Sequence, residues 1–195
     1  MKIWVIIGLG KIFLKNIEKI WKMNKIQKLI IHHTAVSHRL IPDQFDMVND
    51  YHKQKWGMKS SLGYFGGYNY IISADGSIKQ YRADGEETVA TTGHNFNTIH
   101  VAICGDFTKE RPSLAQFIAL RVLINNKMRE YTIDPDQIRT HRQFKNTSCP
   151  GNNITDLEIR QLFAPDMSYI QQMIFKIQTT LNSMKLKLKG RKEEH

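Results

Sequence analysis

The chain has 195 residues, a formal net charge of +10 and 41% apolar residues, which excludes a disordered protein and suits one domain with appendages. Two cysteines exclude a disulfide scaffold, although a bridge between Cys104 and Cys149 stays open. The charge is uneven: residues 1–28 hold seven lysines and one glutamate, and residues 166–195 hold six basic and three acidic residues. Basic tails without an aromatic stacking motif favour an anionic membrane or cell-wall surface over nucleic acid as a partner.

The first segment, residues 1–26, is predicted to form a basic amphipathic helix over residues 3–21. The helix either packs on the domain or lies on a membrane surface. It is too short to span a bilayer, is interrupted by Lys11, and lacks the small-residue cleavage site of a secretion signal. Met23 is an alternative start, because the sequence that carries the motifs below follows it.

The middle segment, residues 27–165, alternates strand and helix patterns and is predicted to be the catalytic domain. Strands are expected over residues 27–31, 68–73, 77–81, 99–105 and 137–140, with a further short strand over 88–91. Helices are expected over residues 43–55, 113–131 and 156–163. A Gly/Ser-rich loop over residues 57–67 is predicted to form one wall of a cleft, and residues 166–195 hold a second amphipathic helix and a basic tail.

The long helix over residues 113–131 is predicted from apolar spacing and from Pro112 and Ser113 at its start. The residues near the helical period are Leu114, Phe117, Ile118, Arg121, Val122, Ile124 and Met128. The shorter helix over residues 156–163 follows Thr155, and Glu158 stands at the position of a capping box.

A metal site is indicated by the stretch THRQFKNTSCPG at residues 140–151, which combines His141 with Cys149. Imidazole nitrogen and thiolate sulfur suit zinc, and three protein donors with an open fourth position define a catalytic zinc site. The best third donor is His32, in the apolar run LIIHHTA. Its neighbour His33 is the alternative, because adjacent strand residues face opposite sides and only one can enter the site.

Four ordered patches make the chain resemble the zinc-dependent N-acetylmuramoyl-L-alanine amidases, the family shared by phage lysozyme-like amidases and peptidoglycan recognition proteins. The patches are IIHHTA at 30–35, GYNYIISADGSI at 67–78, TTGHNFNTIHVAICGDF at 91–107 and HRQFKNTSCPG at 141–151. The resemblance implies one Zn²⁺ held by His32, His141 and Cys149, with His33 as a hydrogen-bonded neighbour. It also requires Cys149 to be unpaired.

Further roles are implied by the same resemblance. Tyr68, at the start of a predicted strand, is expected beside the metal, where its hydroxyl assists proton movement or steadies an oxyanion. Thr147 stands where the family carries a lysine or a threonine; it either donates to the oxyanion or bonds its own loop. His94 is expected to contact substrate or support the site, with a structural loop role as the alternative. Asn97 is expected to cap that loop.

The implied fold is an α/β (α+β) domain with a central mixed sheet of about five strands flanked by helices. The implied reaction is hydrolysis of the amide between N-acetylmuramic acid and L-alanine of peptidoglycan, by a monomer acting at the cell wall. The alternatives are a peptidoglycan-binding module without catalysis and, from the basic charge, a nucleic-acid-binding protein. Cys149 favours the enzyme, because the family's non-catalytic members usually lose this ligand.

Overall fold

A five-stranded sheet forms the centre of the computed structural model, which describes residues 26–163. The strands are β1 (Lys28–His33), β2 (Tyr70–Ile72), β3 (Ile78–Gln80), β4 (Thr98–Ile103) and β5 (Ile138–Thr140). Their order across the sheet is β3-β2-β4-β1-β5. Only β2 and β3 pair antiparallel, as a hairpin, and the other neighbours are parallel. The predicted mixed sheet of about five strands is confirmed.

The two long strands, β1 and β4, lie side by side in the middle of the sheet and are buried. Both are nearly continuous apolar runs, which is the pattern of parallel strands covered on both faces. β1 reaches His33, two residues beyond its predicted end, so both histidines of the run are strand residues. The short hairpin turns through Gly76, whose φ of 86° lies in the left-handed region that favours glycine.

Within residues 26–163, three α-helices accompany the sheet: α1 (Phe45–Trp56), α2 (Leu114–Tyr131) and α3 (Asp156–Phe163). α1 packs Phe45 and Val48 into a core cluster with Ile71 and Ala102. The sheet is covered by α2 on the face that carries Tyr70, where the Lys127 ammonium lies 5.6 Å from the tyrosine ring.

The capping residues of two helices agree with the sequence patterns. α2 begins after Ser113, whose hydroxyl accepts the Gln116 N–H while the Gln116 side chain accepts the Ser113 N–H. α3 begins after Thr155, which exchanges the same pair of bonds with Glu158. Each reciprocal pair satisfies donors that a helix start would otherwise leave free.

The buried face of α2 differs from the apolar spacing in the sequence. Its buried residues are Gln116, Leu120, Leu123 and Ile124. Leu114 and Ile118 point to solvent, with 75% and 56% of their surface exposed. The reason is Gln116, whose amide donates to the Cys104 carbonyl oxygen at 2.8 Å and so brings its own side of the helix against the sheet.

The short strand predicted over residues 88–91 is wrong, because this segment bonds to a side chain and forms no sheet ladder. The backbone N–H groups of Ala90 and Thr91 both donate to Oδ1 of Asn95, at 3.1 and 2.9 Å. The Thr88 hydroxyl donates to the same oxygen. Asn95 therefore organises this loop, a role that the sequence pattern assigned to Asn97.

Both cysteines are unpaired, so the bridge between Cys104 and Cys149 that the sequence left open does not form. Within residues 26–163, no helix has the length and apolarity that crossing a membrane requires. The predicted amphipathic helices over residues 3–21 and after residue 166 lie outside the described residues.

Candidate metal centre and cleft

Three side chains that could hold a metal ion meet where β1 and β5 end. His32, His141 and Cys149 each offer a ligand atom, and these atoms lie within 4.8 Å of one another. The sheet explains two of them: β1 pairs with β5 from Leu29 opposite Ile138 to Ile31 opposite Thr140. One further step in this register brings His141 level with His32, at the carboxyl edge where parallel sheets place their ligands.

Cys149 is brought to this edge by a loop that folds back on the residues after β5. The Arg142 N–H donates to the Cys149 carbonyl oxygen at 3.0 Å, and the Arg142 guanidinium donates to the carbonyl oxygens of Gly151 and Ile154. Gly151 has a φ of 105°, and a Cβ there would lie 2.3 Å from the Phe107 carbonyl carbon. Only glycine fits this contact, which fixes the chain just beyond the cysteine.

The individual atoms of the group face one another. Cys149 Sγ lies 3.7 Å from His32 Nδ1, and the rings of His32 and His141 are 4.6 Å apart between centroids. The His33 N–H points at Cys149 Sγ from 3.5 Å. The His33 ring is turned away and accepts the Phe107 N–H at 3.2 Å, so His33 is a hydrogen-bonded neighbour of the group.

Burial sets the protonation of the three donors. It lowers the pKa of His32, which the neighbouring rings of His100 and His141 lower further, and it lowers the pKa of His141. Both imidazoles are therefore neutral at pH 7 and keep a lone pair for a metal. Burial raises the pKa of the Cys149 thiol to about 11, against the opposing effect of the His33 N–H. The donor set fits zinc, which binds thiolate sulfur and displaces its proton.

A cleft in two parts opens beside the group. A cavity of about 590 Å³ is lined by Trp56, Tyr68, Val89, Ala90, Thr92, Asn95, His141 and Lys145. A second, of about 390 Å³, is lined by Thr34, Val36, Met47, Val48, Tyr51, His52, Lys55, Trp56 and Tyr68. Residues 89–95 contribute to the wall of the first cavity. Residues 57–67, for which the sequence predicts such a role, line neither cavity.

Tyr68 is common to both cavities and lies beside the metal group. It precedes β2 by two residues, although the sequence pattern places it at the start of that strand. Its ring centroid is 5.2 Å from that of His32. Burial, and to a smaller extent the charge of Cys149, raises the pKa of the phenol. The hydroxyl is thus protonated at neutral pH and can donate a hydrogen bond into the cleft.

The other two predicted residues make contacts within loops. The Thr147 hydroxyl oxygen accepts the Cys149 N–H at 3.2 Å, which is the loop bond considered as its alternative role, and its own proton is still available to donate. The His94 ring packs on Phe144, with centroids 4.2 Å apart, and its Nδ1 lies 3.5 Å from the Lys28 ammonium. An oxyanion contact from Thr147 and a substrate contact from His94 stay predictions.

One site residue escapes the sequence analysis. His100 lies inside the apolar run TIHVAIC and is completely buried, with its Nδ1 2.9 Å from Nε2 of His32. A lone histidine in such a run is usually a core residue, so its pattern carries no functional signal. The pairing of β1 with β4 does indicate a role, because His100 lies opposite Ile30 and hence on the same face of the sheet as His32.

Comparison with known proteins places these residues in a family context. The model of the N-acetylmuramoyl-L-alanine amidase family matches residues 22–152. Peptidoglycan-recognition protein SC2 of Drosophila melanogaster is 27% identical over 142 residues, which cover 70% of this chain and 74% of that protein. An N-acetylmuramoyl-L-alanine amidase of Sus scrofa is 30% identical over 132 residues, which cover 66% of this chain and only 22% of that longer protein.

Solved structures agree with this grouping. The N-acetylmuramoyl-L-alanine amidase LysC from Clostridium intestinale matches with a TM-score of 0.59 and 28% identity, covering 71% of this chain and 86% of that one. The complex of the peptidoglycan recognition proteins LCa and LCx with tracheal cytotoxin matches with a TM-score of 0.57 and 25% identity, covering 68% and 80%. The similarity thus includes both an amidase and proteins named for recognition.

Proposed function

This chain belongs to the N-acetylmuramoyl-L-alanine amidase family, and from this premise we propose that it hydrolyses the amide between N-acetylmuramic acid and L-alanine of peptidoglycan with one zinc ion. The observation that carries the proposal is the convergence of His32, His141 and Cys149 beside an open cleft. Because the donor set combines two neutral imidazoles with a thiol that zinc can convert to a thiolate, it suits zinc better than magnesium or calcium, which prefer oxygen.

A zinc ion held by these three donors supplies Lewis acidity, which activates water and polarises a carbonyl at neutral pH. Residues of the chain give the substrate access to the metal and donate a hydrogen bond to it. His141 lines the cleft and the metal group at once, so a substrate in the larger cavity reaches the donors directly. The Tyr68 phenol is protonated at neutral pH, and burial raises its pKa further; its hydroxyl donates a hydrogen bond to the carbonyl oxygen as negative charge develops there.

Substrate binding is proposed to use both cavities, since a muropeptide has a sugar part and a peptide part. Trp56 and Tyr68 line both cavities and offer aromatic surface to either part. Lys145 lines the larger cavity and provides a positive charge for the carboxylates of a stem peptide. The smaller cavity, with Met47 and Val48, is the more apolar of the two.

A second candidate function is peptidoglycan recognition without hydrolysis, which the similarity to peptidoglycan recognition proteins supports. Cys149 argues against it, because recognition needs only the cleft and has no use for a thiol facing two imidazoles. The two functions differ in one observable, the release of a free L-alanine amino group from the glycan.

The test is digestion of purified peptidoglycan by the full chain, followed by mass spectrometry of the released peptides. We expect stem peptides with a free amino-terminal alanine, release that stops with a chelator, and recovery after zinc is restored. Cys149→Ala should abolish release, whereas Cys104→Ala, at a buried cysteine that faces the core, serves as the matched control and should retain it. Binding of peptidoglycan without any release would favour recognition instead.

A further inference from the structure

We propose that His100 is a positioning residue that fixes the His32 ring with Nδ1, and not Nε2, directed at the metal. This proposal rests on the proposed zinc-dependent function, because it assigns the ligand atom of one of the three donors. The observation behind it is a chain of hydrogen bonds that runs from a loop carbonyl through two buried rings to the metal group.

The chain starts at the carbonyl oxygen of His94, which lies 2.9 Å from Nε2 of His100. A carbonyl oxygen only accepts hydrogen bonds, so the proton between these atoms belongs to Nε2 of His100. A neutral imidazole carries one ring proton, and the surroundings of His100 favour the neutral ring, because it is completely buried between a carbonyl oxygen and a second imidazole. Nδ1 of His100 is therefore an acceptor.

The acceptor on His100 determines the tautomer of His32. Nδ1 of His100 lies 2.9 Å from Nε2 of His32, so Nε2 of His32 must be the donor of this bond. The remaining nitrogen of His32, Nδ1, then holds the lone pair. It is the nitrogen that faces Cys149 Sγ, at 3.7 Å. Both the direction and the protonation of the His32 ring thus follow from a carbonyl on a distant loop.

The surroundings hold His100 in this arrangement. Asn69 accepts the His100 N–H at 2.8 Å through its side chain, and its own N–H donates to the His100 carbonyl oxygen at 3.0 Å. The loop carbonyl of His94 is also fixed, because the His94 N–H donates to the Thr91 carbonyl oxygen at 2.9 Å. Removing a residue that orients a histidine ligand through its second ring nitrogen lowers metal affinity by about 10- to 100-fold.

Two substitutions at His100 distinguish a role in orienting the His32 ring from a role in packing the core. His100→Phe keeps the ring volume and removes the acceptor, whereas His100→Asn keeps an acceptor oxygen where Nδ1 lies now. We expect zinc affinity, measured by competition with a chromophoric chelator, to fall about 10- to 100-fold in His100→Phe and to stay within about threefold in His100→Asn. If His100 had only a structural role, both variants would lose thermal stability, and their zinc affinities would not differ from each other.

A measurement on the unsubstituted protein covers the case in which His100→Phe does not fold. Long-range ¹H–¹⁵N correlation spectra distinguish the two imidazole nitrogens, and we expect a proton on Nε2 of both His32 and His100. With zinc bound, Nδ1 of His32 should show the shift of a coordinated nitrogen. Coordination through Nε2 of His32, or equal zinc affinity in His100→Phe, would overturn the proposal.

The same spectra distinguish this proposal from the one on which it rests. If the chain binds no zinc at all, the zinc-dependent function fails. The proton positions on His32 and His100 in the metal-free protein still decide whether His100 sets the tautomer.

Discussion

Tyr68 shows how a single side chain acquires chemistry from its surroundings. Its ring lies beside that of His32, it lines both cavities, and burial raises the pKa of its phenol. An ordinary strand tyrosine such as Tyr70 instead donates its hydroxyl to a carboxylate, that of Asp84, at 2.8 Å. Tyr68 lines both cavities, whereas Tyr70 lines neither.

Tyr68→Phe removes this hydroxyl group and keeps the ring. We expect the rate of amide hydrolysis to fall about 100- to 10,000-fold, the range for a lost proton donor, with zinc content unchanged. Initial rates on soluble muropeptides and metal analysis of the same sample check both points. Tyr64→Phe is the control, since Tyr64 is 39% exposed and lines neither cavity. Equal rates in Tyr68→Phe and the unsubstituted protein would remove Tyr68 from the mechanism.

His52 makes stability depend on pH. Its Nδ1 accepts the Gly67 N–H at 2.8 Å, and burial, with smaller effects of Lys55 and Arg82, lowers its pKa from 6.5 to about 4. The unfolded chain therefore takes up this proton first, so the contribution of His52 is fully present above pH 6.5 and is lost towards pH 4.

His52→Asn keeps an acceptor for the Gly67 N–H and cannot titrate in this range. Between pH 7 and pH 5 we expect the unsubstituted protein to lose about 2 kcal/mol more unfolding free energy than the variant. Urea denaturation of both proteins at the two pH values measures the difference, in which the titration of other histidines cancels. Parallel losses in the two proteins would contradict this prediction.

At the scale of elements, α2 shows why apolar spacing alone misassigns a helix face. Leu114, Ile118 and Val122 are spaced like a core stripe, yet all three are exposed. The sheet contact is made through Gln116, a polar residue whose amide reaches the Cys104 carbonyl oxygen. Its side-chain oxygen also accepts the Ser113 N–H at the start of the helix.

Gln116→Leu tests this contact. The substitution leaves a buried carbonyl oxygen without its donor and breaks the capping box, so we expect a loss of about 2–3 kcal/mol of unfolding free energy. Ile118→Ala, two residues further along the helix on the exposed side, should cost less than about 1 kcal/mol. Chemical denaturation of both variants gives the comparison. A larger loss in Ile118→Ala would mean that the exposed stripe carries the packing.

The sequence predicts the elements that are determined by neighbouring residues. It does not predict the features that depend on contacts between residues far apart in the chain. Alternating and continuous apolar runs gave all five strands, and capping residues gave the starts of α2 and α3. The segment over residues 88–91 has a strand composition, but its N–H groups bond to Asn95, which no periodicity reveals. Among site residues, His141 and Cys149 can be recognised because they share a short motif. His100 can be recognised only from the pairing of β1 with β4, which brings it next to His32.

Most of the positive charge of the chain lies outside the segment that holds the cleft. Of the formal net charge of +10, residues 1–28 and 166–195 carry nearly all, and the segment that holds the cleft is almost neutral. A cleft that accepts a muropeptide does not need a strongly basic domain around it. We therefore propose that the tails bring the protein to an anionic surface while the cleft binds the substrate of the proposed reaction.

Changing Lys11, Lys15, Lys19 and Lys22 to glutamine tests this division. We expect binding to anionic lipid vesicles to weaken more than about tenfold and to become less sensitive to salt, because each lysine near such a surface contributes about 1 kcal/mol. Hydrolysis of soluble muropeptides should not change. The same four positions changed to arginine keep the charge and should keep the binding. Vesicle sedimentation at two salt concentrations measures both variants, and equal binding by the glutamine variant would exclude a role for residues 1–28 in attachment.

The strand order β3-β2-β4-β1-β5 has a consequence for how the protein is made. β1 leaves the ribosome first, yet its two partners, β4 and β5, follow about 70 and 110 residues later along the chain. Pairings between such distant segments form slowly, and the carboxyl edge cannot be complete before Cys149 has been synthesised. A nascent chain halted before residue 138 therefore keeps one side of β1 open, so the group of His32, His141 and Cys149 can assemble only after β5 and the loop that follows it have been synthesised.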